Sequence, residues 1–146
     1  MSLCMVEIHT RSKGRYMHTI LVSEKYFFSD EDMENIVVTA LEGGIGYWAC
    51  LDNSDVEPRD WGDWTKKPKT MPDSIYAWKL IQSGGMLHFI DEEDETEEYY
   101  FSLVNLYTGI SRAIESGIWD GDIDMLDANI ADAIFQYGIF GKLVYS

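Results

Sequence analysis

The sequence predicts an α+β domain in which two hairpins and a C-terminal strand form a mixed, mostly antiparallel sheet, with about three helices packed on one face. Three observations predict it. β-Branched and aromatic runs come in pairs around Gly-containing turns, and apolar residues recur at helical spacing in longer stretches. The 146-residue chain is also 46% hydrophobic and 14% aromatic, enough for one core, so residues 1–146 read as a single domain.

Residues 6–10 and 16–22 carry strand-forming types, with Gly14 in the segment between them. If Lys13 and Gly14 make a two-residue turn, the register runs Ser12 to Arg15, Arg11 to Tyr16, Thr10 to Met17 and His9 to His18. Ser29 opens a helix, with Asp32 three residues on as the capping acid. Met33, Ile36, Val37, Ala40 and Leu41 then follow at i, i+3, i+4, i+7 and i+8, and Gly43-Gly44 stops the helix. Residues 52–75 hold Pro58, Pro68 and Pro72 and the cluster Lys66, Lys67 and Lys69 without a period; they read as a long surface loop, a length that points to function. Residues 76–82 and 86–90 flank Ser83-Gly84-Gly85 as a second hairpin. Leu103, Leu106, Tyr107, Ile110 and Ile114 set a helix over 98–116. A last helix over about 126–137 leads through Gly138 and Gly141 to a strand at 142–145.

Charge bounds the partners. The chain has 26 acidic and 11 basic residues, a formal net charge of -15. Residues 1–82 hold 13 acids and 9 bases, whereas 83–146 hold 13 acids and 2 bases. The second half therefore repels polyanions, which argues against direct nucleic-acid binding and for a basic or neutral protein partner. No apolar run approaches membrane-spanning length, and no basic-then-apolar leader opens the chain, so the expected location is cytoplasmic. Cys4 and Cys50 lack the spacing of a metal site or disulfide scaffold and read as free thiols, with a disulfide between them left open. Met1 to Leu3 read equally as a native start or a vector remnant. No cofactor motif is present, and none is expected.

Each candidate site has a structural alternative. The run containing Glu92, Glu93, Asp94 and Glu95 precedes a predicted helix, where the helix dipole stabilises negative charge; it also reads as an acidic surface that mimics nucleic-acid phosphate. Trp61 and Trp64 lie in the long loop, either exposed for binding or folded back. The stretch Leu41 to Trp48 ends a helix with Glu42 in the last turn, a disfavoured place for an acid, and then offers Tyr47 and Trp48 beside three glycines. Its glycines follow a helix rather than precede one, so it is not a phosphate loop. Asp132 and Gln136 share a face of the last helix at i, i+4. Asp120, Asp122 and Asp124 alternate like a calcium loop, but Met125 and Ala131 occupy its Gly and Glu positions; Asp127 is better placed as a helix cap. His9 and His18 could contribute two zinc ligands, short of a full site. No Ser or Cys sits in a nucleophile motif.

Two stretches, 38–48 (Val-Thr-Ala-Leu-Glu-Gly-Gly-Ile-Gly-Tyr-Trp) and 127–145 (Asp-Ala-Asn-Ile-Ala-Asp-Ala-Ile-Phe-Gln-Tyr-Gly-Ile-Phe-Gly-Lys-Leu-Val-Tyr), together resemble a group of small uncharacterised proteins met in bacteriophages, prophages and mobile elements. The resemblance implies an accessory gene product and carries over no catalytic residue. The expected function is a non-enzymatic accessory protein that binds a protein partner, such as a basic nucleic-acid-binding protein, through its acidic and aromatic surface. The alternative is a small enzyme or ligand-binding domain with a pocket near Glu42, Tyr47, Trp48, Asp132 and Gln136, using a divalent cation.

Overall fold

The computed structural model describes residues 5–6, 10–12, 15–54 and 62–146, with side chains from Met17 onward. The fold is α+β, but it holds two separate antiparallel sheets where one mixed sheet was expected, and four α-helices rather than about three.

In the first sheet β3 (Arg15–Leu21) is the hub. Strands β1 (Met5–Val6) and β2 (Thr10–Ser12) both pair with it, and β4 (Lys25–Ser29) pairs along Met17 to Leu21. The pairs Ser12 to Arg15, Arg11 to Tyr16 and Thr10 to Met17 stand in the expected register; the fourth pairing, of His9, lies outside the described residues. Ser29 closes β4 and caps α1 (Asp30–Thr39) through a reciprocal capping box: Asp32 N–H donates to Ser29 Oγ, and Ser29 N–H to Asp32 Oδ2. Met33, Ile36 and Val37 are buried on the face their spacing marks.

The second sheet runs β5 (Ala49–Leu51), β6 (Leu87–Asp91), β7 (Glu98–Phe101). Its hairpin is β6–β7, joined across the acidic run. The hairpin expected over 76–90 does not form, because Asp73–Gln82 is helix α2. Ile75, Tyr76, Trp78 and Ile81 look strand-like by type, yet the buried residues Ser74, Ala77, Trp78 and Ile81 fall at i, i+3, i+4 and i+7, with Pro72 at the helix start. Period outweighs type. The expected helix over 98–116 is likewise divided. Residues Glu98–Phe101 pair with β6, and Ser102 caps α3 (Leu103–Glu115) in a box with Asn105.

Asp127 caps α4 (Ala128–Phe140) by accepting from Ile130 N–H, as its position suggested. Helices α3 and α4 approach so closely that a Cβ on Gly109 would lie 2.0 Å from the Ile134 carbonyl oxygen. After Gly141 the chain does not form the expected strand; residues 142–146 are a tail that joins neither sheet. Aromatic stacking joins the layers: Phe101 lies 4.0 Å from Phe135 between ring centres, and Phe28 lies 5.5 Å from Trp119.

Candidate functional site

Helix α1 does not stop cleanly at its glycines. Its last turn widens into a π-helical segment, Ala40–Gly44, closed by Ile45 N–H donating to the Ala40 carbonyl. Gly44 faces the start of α4, where a Cβ would meet the Ala128 carbonyl oxygen at 3.0 Å and Asp132 N at 3.4 Å. A side chain at this position would press on the α4 backbone, and the close seating delivers the next two aromatics to α4. The Tyr47 hydroxyl donates to Asp132 Oδ2 (2.6 Å), and the Trp48 indole N–H donates to Asp132 Oδ1 (2.8 Å).

Gln136, one turn further along α4 and 1% exposed, completes the cluster. Its Nε2 donates to Asp132 Oδ1 (2.9 Å) and the Tyr145 carbonyl (3.1 Å), while its Oε1 accepts from the N–H groups of Val144 and Tyr145, both 2.8 Å. The side-chain amide thus binds tail backbone much as a neighbouring strand would. The tail in turn stacks the Tyr145 ring on Trp48, with centres 5.1 Å apart and planes 6° from parallel. Between these parts lies an open cavity of about 390 Å³ lined by Tyr47, Ile118, Asp132, Gln136, Leu143 and Tyr145, among others. Lost hydration, then donation to Asp132, pushes the Tyr47 hydroxyl up to about 12, so it remains a donor at neutral pH.

Of the residues named for a candidate pocket, Tyr47, Trp48 and Gln136 all hydrogen-bond to Asp132, and Tyr47, Asp132 and Gln136 line the cavity, whereas Glu42 lies apart. Glu42 is not among the cavity-lining residues; its Oε2 accepts from the Ser74 hydroxyl in the first turn of α2. An acid disfavoured at the end of α1 thus gains the favourable N-terminal end of another helix.

A second cluster lies beside the first. Asp91 ends β6 and is 5% exposed; its Oδ2 accepts from the hydroxyls of Tyr99 (2.7 Å) and Tyr145 (2.6 Å). Its Oδ1 accepts from the N–H groups of Glu93 (2.8 Å) and Asp94 (3.1 Å). These donors, the Tyr145 hydroxyl foremost, hold the Asp91 carboxyl down at about 2. Burial first, and then the bonds to Tyr145 and Asp91, raise Tyr99 above the usual phenol range. Asp94 continues the bracing by accepting from Thr96 N–H and Oγ–H. Residues 92–98 are all exposed, so Glu92, Glu93, Asp94 and Glu95 form a hairpin tip rather than the approach to a helix.

The remaining candidates separate. Trp64 is 7% exposed and packs against Tyr76, which removes it from any exposed aromatic surface; Trp61 lies outside the described residues. Asp122 caps a short 3-10 turn by accepting from Asp124 N–H, and Asp120 accepts from Asp122 N–H, so these carboxylates serve local turns. Among the described residues no group of three or more His, Cys, Asp or Glu is placed to hold a metal. His18 is buried: its Nε2 is 2.6 Å from Asp30 Oδ1, and its Nδ1 is 2.5 Å from the Tyr107 hydroxyl. His88 lies between Asp52 Oδ2 (2.8 Å) and Glu98 Oε1 (3.0 Å) and stacks on Tyr100. Cys50 is exposed on β5, and Cys4 falls outside the described residues. Among the described residues no helix is long and apolar enough to cross a membrane.

Sequence reasoning missed Asp91 and Tyr145. The signal for Asp91 was present, since Leu87, Phe89 and Asp91 alternate on one face of β6 and the acid inherits the buried phase. Tyr145 carried no such signal, because its partners Gln136, Trp48 and Asp91 are side chains distant in sequence or on another element rather than a neighbouring strand. Comparison of the chain with protein-family models, curated proteins and solved structures finds no match.

Proposed function

We propose that this protein is a non-enzymatic binding protein that engages a basic protein partner through the β6–β7 hairpin tip. The observation that carries the reading is the bracing of that tip. Five carboxylates at 92–95 and 97 are exposed on a turn whose backbone is tied to Asp91 and Asp94, and Glu98 follows at the start of β7. A turn ordered in advance loses less conformational entropy on binding, and clustered charge speeds encounter with an opposite surface. A basic groove that ordinarily holds nucleic-acid phosphate has suitable chemistry, and the accessory role implied by the resemblance to phage and prophage proteins fits it.

The test uses Glu92→Gln, Glu93→Gln and Glu95→Gln together, leaving the Asp94 brace intact. Immobilised wild-type protein should retain a basic partner from host lysate at low salt and release it at high salt, and the triple variant should not retain it. Equal retention by wild type and variant, or retention indifferent to salt, refutes the hairpin as the contact. A second reading, favoured by the cavity beside Asp132, is a small-ligand site; it uses different residues and does not depend on the first.

A further inference from the structure

We infer that the cavity between the Tyr47 turn, α4 and the tail binds a small organic cation, an ammonium or guanidinium head on an apolar stem, with Asp132 as counter-ion. The inference rests on reading this cavity as a ligand site and assigns its ligand class.

Volume comes first. At about 390 Å³ the cavity lies within the range of small-ligand sites, roughly 300–1,000 Å³. Its chemistry is asymmetric. Among the described residues, Asp132 is the acidic side chain in its lining and no basic side chain lines it. A carboxylate offers about four acceptor positions. Oδ1 accepts two bonds, from Trp48 and Gln136, and Oδ2 accepts one, from Tyr47, which leaves Oδ2 able to take a further donor. The surrounding potential favours the same sign: Asp91 and Glu93 both act on the hydroxyl of Tyr145, a cavity-lining residue, within a chain of net charge -15. An anionic ligand is opposed by each of these charges.

The walls suit an organic cation better than a metal ion. Tyr47 and Tyr145 supply aromatic rings, whose faces attract cations, while Ile118 and Leu143 supply apolar surface for a stem. Tyr47, Ile118 and Leu143 are 50%, 38% and 45% exposed, a cluster of apolar surface around one carboxylate. A divalent ion needs about six oxygen ligands, and this site offers one carboxylate whose neighbours are mostly donors already engaged. The Gln136 carbonyl oxygen is taken by two tail amides.

The probe is n-hexylammonium, titrated beside hexanoate, hexanol and calcium, and followed by the NMR signals of the Trp48 indole N–H and the Gln136 carboxamide. Hexylammonium should shift both signals saturably, while the other three should not. Asp132→Asn keeps an oxygen for Trp48 and should weaken binding at least about tenfold, the usual scale of a charge-assisted hydrogen bond. Asn129→Trp, at an exposed position on the cavity wall outside the Asp132 network, should fill the cavity and abolish binding while leaving the tail amide signals of Val144 and Tyr145 in place. Equal binding of hexanol or hexanoate at these signals would overturn the cation assignment and leave the ligand site standing. Saturable calcium shifts would replace it with a metal. No saturable response to any probe, or hexylammonium binding that survives Asn129→Trp, would overturn the site itself.

Discussion

At the residue scale, two buried acceptors organise the C-terminal half of the molecule. Gln136 ties the tail to α4, and Asp91 ties the hairpin turn to Tyr99 and Tyr145, so the Tyr145 side chain and backbone are held by different clusters. Asp91 gives the clearest pH dependence. Its folded value of about 2 lies below the ordinary aspartate value of about 3.9. A lowered folded value means that the unfolded chain takes up the proton first, so the stabilisation is complete above about 4 and is lost as pH falls toward about 2. Asp91→Asn should lower the urea midpoint at pH 7 and flatten its pH dependence between about 4 and 2, measured by urea melts at each pH. A variant whose acid limb parallels that of wild type would assign the loss to other carboxylates.

At the element scale, the close contact of α3 and α4 places the cavity wall, because Asp132 and Gln136 lie on the same helix that Gly109 allows to dock. Gly109→Ala would set a methyl 2.0 Å from the Ile134 carbonyl oxygen, a backbone atom that cannot rotate away. The helices must then separate. The expected cost is about 1–3 kcal/mol, the usual range for overpacking, read as a lower urea midpoint with altered Trp48 and Gln136 signals. An unchanged midpoint would mean that the helices can part freely. The elements also show what was legible in the sequence. Capped helices with strong period, α1 and α4, were readable within a few residues because Ser29 and Asp127 mark their starts locally. Helix α2 was hidden because β-branched and aromatic side chains serve equally in a helix packed on a core. The tail could not be read at all, since its backbone partner is a side chain on α4 rather than a neighbouring strand.

At the scale of the whole molecule, the question is how a chain of net charge -15 remains compact. Among the described residues, ion pairs with lysine join Lys66 to Asp63 (3.9 Å) and Lys67 to Asp73 (3.4 Å). Surface pairs of this kind contribute about 0–1 kcal/mol each. Self-repulsion at neutral pH is thus opposed chiefly by the apolar core and by neutral donors such as the tyrosine hydroxyls on Asp91 and Asp132. Salt screens the repulsion but barely touches the short buried bonds, since the Debye length falls from about 30 Å at 0.01 M to about 8 Å at 0.15 M. Sodium chloride should therefore raise the urea midpoint at pH 7. Near the sequence pI of about 4.3 the net charge approaches zero and little repulsion remains to be screened, so the same salt step should have little effect there. Urea is the right denaturant because it adds no ions of its own. If salt instead lowers the midpoint at pH 7, attractive pairs outweigh the net charge, and the acidic surface is internally compensated rather than open to a partner.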